Sequence, residues 1–176
     1  MGTIKKHLPV KLFTAITFLK GFDIELLIKA IEQFHSPIDL RSEVYDFTKF
    51  TTYYNHEMGE QLNKCFVSFL KLFIPENLPF VKISTNRLEE DYISNKKRQI
   101  NIDPGYITQA KLVLATTKNY SHRIYLGQGI YGDVHLQYQN KTYQPQPWTY
   151  PDYKDINNLE FFNATRLRYL EQLADL

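Results

Sequence analysis

From Ile130 to Tyr138 the chain alternates without a break, with Ile130, Gly132, Val134, Leu136 and Tyr138 on one side and Tyr131, Asp133, His135 and Gln137 on the other. A period of two belongs to a strand with one face buried and one outward. Gly127-Gln128-Gly129 just before it supplies the positive-φ positions of a tight hairpin, and His122 to Leu126 before that is a second strand. A third strand near Thr142-Tyr143 completes a meander. Any fold for this chain must therefore contain an antiparallel sheet.

Upstream, Val10 to Leu19 is apolar on both faces, as expected of a central strand covered on each side. Gly21 breaks it, Asp23 can cap, and Leu27, Ile28, Ile31 and Phe34 recur at helical spacing until Pro37. Ile38 to Phe47 and Leu62 to Phe73 are the next strands, and Thr51 to Gly59 between them either extends the first or forms a loop. Pro79 suits the first turn of a second helix carrying Leu78, Val81, Leu88 and Tyr92, which ends in Glu89-Glu90-Asp91. Those acids oppose the helix macrodipole and are read as a solvated face. Gln99 to Asp103 is a fourth strand. The order β-α-β-β-α-β predicts a ferredoxin-like antiparallel sheet with both helices on one face. The alternative is a larger mixed sheet in which these strands are not consecutive neighbours.

Asp103 followed by Pro104 is a helix-start signal, because the aspartate can accept from free N–H groups and proline's missing donor is harmless there. A helix is predicted to Lys118, which would set Lys111 and Lys118 on one face about 10 Å apart along the axis. The β-branched run Leu112 to Thr117 keeps a strand open as the other reading. Pro145 to Pro151 must be extended, and Ile156, Leu159, Phe162, Tyr169, Leu170 and Leu173 mark a long C-terminal helix. The chain is thus expected to be α+β and one domain over residues 1–176. Residues 1–104 form its βαββαβ half, and 105–176 add a helix, a β-meander and a C-terminal helix.

Composition excludes several function classes. With 43% hydrophobic residues among 176, the chain can bury a sizeable core, and 21 Lys plus Arg against 19 Asp plus Glu leave a net charge of only +2. That balance argues against bulk nucleic-acid binding. The single cysteine, Cys65, excludes an internal disulfide and a Cys-rich zinc site, and fits a reducing cytoplasm. No apolar run is long enough to span a membrane, and Met1 to His7 reads as a mature start, so a cytoplasmic location is expected. Gly127-Gln128-Gly129-Ile130-Tyr131-Gly132 matches G-x-G-x-x-G, but a dinucleotide fold needs that motif to open a helix, and here it opens a strand. A kinase would need a downstream lysine and its H-R-D and D-F-G loops, and only 42 residues follow Val134; any G-x-x-x-x-G-K-[ST] is missing too. The five histidines show no zinc spacing; His56 with Glu57 and Glu60 comes nearest, so no metal is expected.

The set Tyr53-Tyr54, Glu57-Met58-Gly59, Asn101 to Tyr106, Lys111 to Lys118, His122 to Leu126 and Trp148 to Tyr153 resembles the prokaryotic family DUF4416 over nearly the whole chain. The resemblance implies a small stand-alone cytoplasmic protein. The family has no established activity, so no catalytic role or cofactor carries over.

One polar constellation stands out: Asp103, the helix start expected after it, Lys111, Lys118, His122 and Arg123 could converge on a phosphate or carboxylate. Glu57, Asp103 and His122 are the candidates for proton transfer, and Lys111, Lys118, Arg123 and Tyr106 those for ligand contact. The plainer reading makes Asp103 a cap, the lysines solvated and Arg123 the partner of an acid across the sheet. Three functions follow from the sequence. The first is binding of a phosphorylated or nucleotide-like anionic small molecule in a basic cleft. The second is a non-enzymatic ferredoxin-like interaction or regulatory module, which would suit a homo-oligomer. The third, RNA binding, has no RNP-like run to support it.

Overall fold

The computed structural model describes residues 2–176. In chain order the elements are β1 (Lys11–Leu19), α1 (Ile24–Phe34), β2 (Ile38–Arg41), β3 (Tyr45–Asp46), α2 (Asn55–Met58), β4 (Leu62–Phe69), α3 (Leu78–Glu90), β5 (Ile93–Ser94), β6 (Lys97–Arg98), β7 (Ile100–Ile107), β8 (Lys111–Thr116), β9 (Arg123–Gly127), β10 (Ile130–Gln139), β11 (Thr142–Pro145) and α4 (Ile156–Ala174). The protein is α+β, with a nine-stranded antiparallel sheet in the order β11-β10-β8-β7-β1-β4-β2 and four helices. β3 shares the outer edge of β4 with β2, β9 lies on the outer edge of β10, and β5 with β6 makes a separate hairpin.

β1 is central because it is buried from Lys11 to Phe18, apolar on both faces apart from its threonines and Lys11. Its even-numbered residues Leu12, Ile16 and Phe18 meet Leu27 and Ile31 of α1 and Leu88 of α3. Phe13 and Ala15, on the other face, meet Phe161 and Phe162 of α4 together with Phe66, Leu114 and Leu136. Each large apolar side chain buried in these two layers contributes about 1.5–3 kcal/mol. Lys11 ends the central strand beneath α4, its Nζ bonded to Asp39 Oδ2 at 2.5 Å and Gln172 Oε1 at 2.7 Å.

Five expectations need correction. The helix foreseen from Pro104 to Lys118 is two strands: β7 runs through Asp103-Pro104 to Ile107, and Lys111–Thr116 is β8. Thr14 pairs with Pro104 across β1, but the β7–β8 ladder holds only from Gly105 to Ile107. Proline's missing N–H therefore costs no ladder bond, because β8 has already parted from β7 at that point. Ile38 to Phe47 is two short strands rather than one, and the third expected strand ends at Phe69, with Phe73 making only an isolated bridge to Val10. Glu89 is buried, not part of a solvated face. Asp133 and His135 are buried as well. The register of β10 against β8 shifts between Val134 and Leu136, and the segment Trp148 to Tyr153 covers what would have been the outward face.

Candidate functional site

The parting of β7 and β8 builds the site. Leu112 to Leu114 pair with Gly105 to Ile107, and beyond Gly105 the strands separate. Gly105 marks the closest approach: a Cβ there would lie 2.4 Å from Val113 O and 2.7 Å from Phe13 Cε1. In the gap, side chains of α3 satisfy the backbone of Ile102 in place of a strand. Its N–H donates to Glu89 Oε1 at 2.7 Å, and Lys82 Nζ donates to its carbonyl at 2.9 Å. Lys82 also reaches Asp103 Oδ1 at 2.9 Å, while Asn101 Nδ2 donates to Asp103 Oδ2 at 2.7 Å. Burial pushes the Asp103 carboxyl up, but Lys82 and Asn101 outweigh it and hold the group below the usual carboxylate range. Arg98 Nη1 donates to Glu89 Oε2 at 2.7 Å and Nη2 to Glu57 Oε2 at 2.6 Å, closing one wall.

Directly paired residues of an antiparallel ladder share a face. Asn101, Thr17 and Lys64 therefore form one row across the sheet, and Asp103, Ala15 and Phe66 the next, both on the side of α4. Above them lie two adjoining cavities. The outer cleft, about 410 Å³, is lined by Tyr54, Glu57, Arg98, Asp103, Thr116 and Lys118 among others. The inner chamber, about 220 Å³, is lined by Phe47, Lys64, Tyr120, Asp152 and Tyr153, and Tyr53, Tyr54, Asp103, Lys118 and Tyr150 belong to both. Lys118 Nζ sits at this neck, donating to the Tyr53 hydroxyl and lying 4.5 Å from the centre of that ring.

Behind the neck is a buried polar cluster. Arg123 donates from Nε to Asp133 Oδ2 at 3.0 Å, from Nη1 to Lys118 O at 3.0 Å, and from Nη2 to the Tyr150 hydroxyl at 3.1 Å. His135 Nε2 accepts from the Tyr150 N–H at 2.9 Å, so its hydrogen is on Nδ1 and donates to Asp133 Oδ1 at 3.3 Å. Burial lowers the His135 pKa and Asp133 offsets only part of that, so the ring stays neutral. His122 Nε2 lies 3.2 Å from Asp133 Oδ2 and its ring stacks on Trp148, centroids 4.8 Å apart. This cluster fixes Tyr150 and the backbone of Lys118, both of which face the cavities.

Of the residues singled out from sequence, Glu57, Asp103 and Lys118 come together around the cavities. Arg123 and His122 stand behind them, bonded to Asp133. Lys111 lies exposed at the far end of β8, opposite Gln137, and Tyr106 packs against the core under α1 and α3, so neither lines the site. Lys64, Lys82, Glu89, Tyr150 and Asp152 were missed. Lys64 carried a signal: a lysine within Leu62–Phe69, where Cys65, Phe66 and Val67 mark a strand covered on both faces. Lys82 carried another, since Leu78, Lys82, Thr85 and Glu89 follow the 4-3-4 spacing of a helix's buried face.

Among the described residues no cluster of His, Cys, Asp or Glu could hold a metal ion, and no helix is long and apolar enough to cross a membrane. Comparison with curated proteins and with solved structures returned no match. A family model does match nearly the whole chain, including every cavity-lining residue named above. The chain belongs to the family described as Domain of unknown function (DUF4416), whose model covers residues 8–169.

Proposed function

We propose that the two cavities form a binding site for a small anionic molecule, phosphorylated or nucleotide-like, with Lys118 as its charge contact. The reading rests on how the charges of the cleft are matched. Lys82 is paired with Asp103, and Arg98 with Glu57 and Glu89. Lys118 has no carboxylate partner among the described residues; the Tyr53 hydroxyl is its contact, and that bond raises its pKa despite partial burial, so it remains an ammonium. A charged ammonium with unused donors in a concave site complements a phosphate or carboxylate. Asp103 and Glu57 limit the ligand to an anionic group on the Lys118 side, because a second negative charge near them would be repelled.

Thermal-shift and calorimetric titration of the protein with inorganic phosphate, a pentose phosphate and nucleoside monophosphates tests this. Saturable stabilisation by at least one of them is expected, weakened about tenfold or more in Lys118→Ala. Absence of any shift across the panel overturns the reading.

We also propose that β1-α1-β2-β4-α3-β7 is a ferredoxin-like core, since its strands stand in the order β7-β1-β4-β2 with α1 and α3 over one face. In this reading β8 to β11 extend the β7 edge. One observation favours the second reading, a non-enzymatic interaction module: on edge strand β9, Ile124 is 68% and Tyr125 60% exposed. Sedimentation showing a strict monomer at high concentration would remove its self-association form. RNA binding is set aside, because the chain has no RNP-like run and a net charge of only +2.

A further inference from the structure

Asp152 is 1% exposed and lies in the short turn Pro151–Lys154 on the floor of the inner chamber. Its Oδ2 accepts twice, from Lys64 Nζ at 2.6 Å and from the Tyr45 hydroxyl at 3.0 Å. Its Oδ1 accepts from no group among the described residues. Neither is that oxygen sealed off: among the described residues, the side-chain atom that is both sealed and unpartnered is Asn55 Oδ1. Asp152 lines the chamber as a nearly buried carboxylate with one oxygen left without a donor among the described residues, and an acceptor of that kind favours one.

The walls say what kind of molecule would bring it. Phe47, Tyr53, Tyr54, Tyr120, Tyr150 and Tyr153 surround the floor, and Lys64 Nζ already lies 4.5 Å from the Phe47 centroid and 5.0 Å from that of Tyr153. A cavity of about 150 Å³ lined by apolar groups can hold a benzene. The 220 Å³ here therefore suits one planar ring system with room for a substituent. Lys118 lines this chamber and the cleft beside it.

We propose that the inner chamber takes a planar nitrogen heterocycle of the nucleobase class, which donates an N–H to Asp152 Oδ1 while its anionic tail lies at Lys118. This rests on the reading of Lys118 as the charge contact and adds a base-recognition pocket to it. Lys64 serves as a positioning residue, fixing which carboxylate oxygen faces the ring.

The test uses the wild-type chain and varies the ligand, so folding of a variant is not at issue. Calorimetric titration compares inorganic phosphate, ribose 5-phosphate, the common nucleosides and their 5′-monophosphates, and N-methylated analogues of whichever base binds best. At least one nucleoside monophosphate is expected to bind about a hundredfold or more tighter than ribose 5-phosphate, and methylation of its ring donor to weaken it about tenfold or more. Tyr120→Leu, at an exposed chamber wall, should weaken the nucleotide by a larger factor than ribose 5-phosphate. Equal binding of ribose 5-phosphate and every nucleotide overturns the base pocket and leaves the anion reading standing. Methylation-sensitive binding of a nucleoside as tight as its nucleotide, unmoved by Lys118→Ala, supports the ring in the chamber and overturns the anion contact. No binding of any probe overturns both.

Discussion

Lys82 on α3 reaches Asp103 on β7 through the gap where β8 turns away, Nζ to Oδ1 at 2.9 Å, with the same ammonium bonded to the carbonyl of Ile102. One helix side chain thus closes the edge of a strand next to the central one and holds a carboxylate that lines both cavities. It also ties the helical layer to the face where the site lies.

Lys82→Met should strand Asp103 and the Ile102 carbonyl together. Loss of one partner from a largely buried pair costs about 3 kcal/mol, and the partial exposure of Asp103 sets this at the low end of the range. Denaturant unfolding would show it as a shift in midpoint. The double variant Lys82→Met/Asp103→Asn should lose less than the two single changes summed.

The pH dependence of stability follows from His135. Burial holds its imidazole below the ordinary value of 6.5, so the unfolded chain binds the proton first as pH falls. Stability from this group is complete above pH 6.5 and is lost as pH drops through the lower folded-state value. Lowered His35 acts in the same window. Asp103 and Asp133, both held below 3.8, give a separate loss under strongly acidic conditions. Unfolding free energies measured from about pH 8 to 5 should fall with acidification, and His135→Asn should flatten that slope without abolishing it.

Gly105→Ala places a methyl 2.4 Å from the Val113 carbonyl, which cannot withdraw without opening the β7–β8 ladder, and 2.7 Å from the Phe13 ring, which is fully buried in the core. A loss of about 3 kcal/mol is expected, at the upper end for overpacking. Gly132→Ala, whose methyl would first meet the flexible, partly exposed Leu126 side chain at 3.2 Å, should cost below about 1 kcal/mol. Chemical denaturation of the pair distinguishes the two environments.

Cys65 is fully buried, and burial pushes its thiol up to about 11 against the partial opposing pull of Arg41. Alkylation by iodoacetamide at neutral pH should therefore be at least about a thousandfold slower in the native protein than in denaturant. Fast native labelling would mean that β4 opens locally.

Much of the architecture could be read before folding was considered. The apolar face of α1, the proline at the start of α3 and the hydrophobic spacing of α4 each named a helix, and the Gly127-Gln128-Gly129 turn placed the β9–β10 hairpin. The site was legible only in part. Asp103, Glu57 and Lys118 were recognised as chemically unusual, but Arg123 was expected in the cavity and is instead consumed by Asp133, Lys118 O and Tyr150 behind it.

Local pattern determined where most of the strands and helices occur, because side-chain periodicity and turn chemistry act within a few residues. The tertiary structure decided that Asp103-Pro104 continues a strand instead of opening a helix. Whether a proline nitrogen is tolerated depends on which edge it faces, and that is set by strand partners far away in sequence. The same holds for Lys82, Lys64 and Asp152: each is an ordinary polar residue until the register of β1, β4 and β7, and the packing of α3 and the 151–154 turn, remove it from water and set its few specific partners.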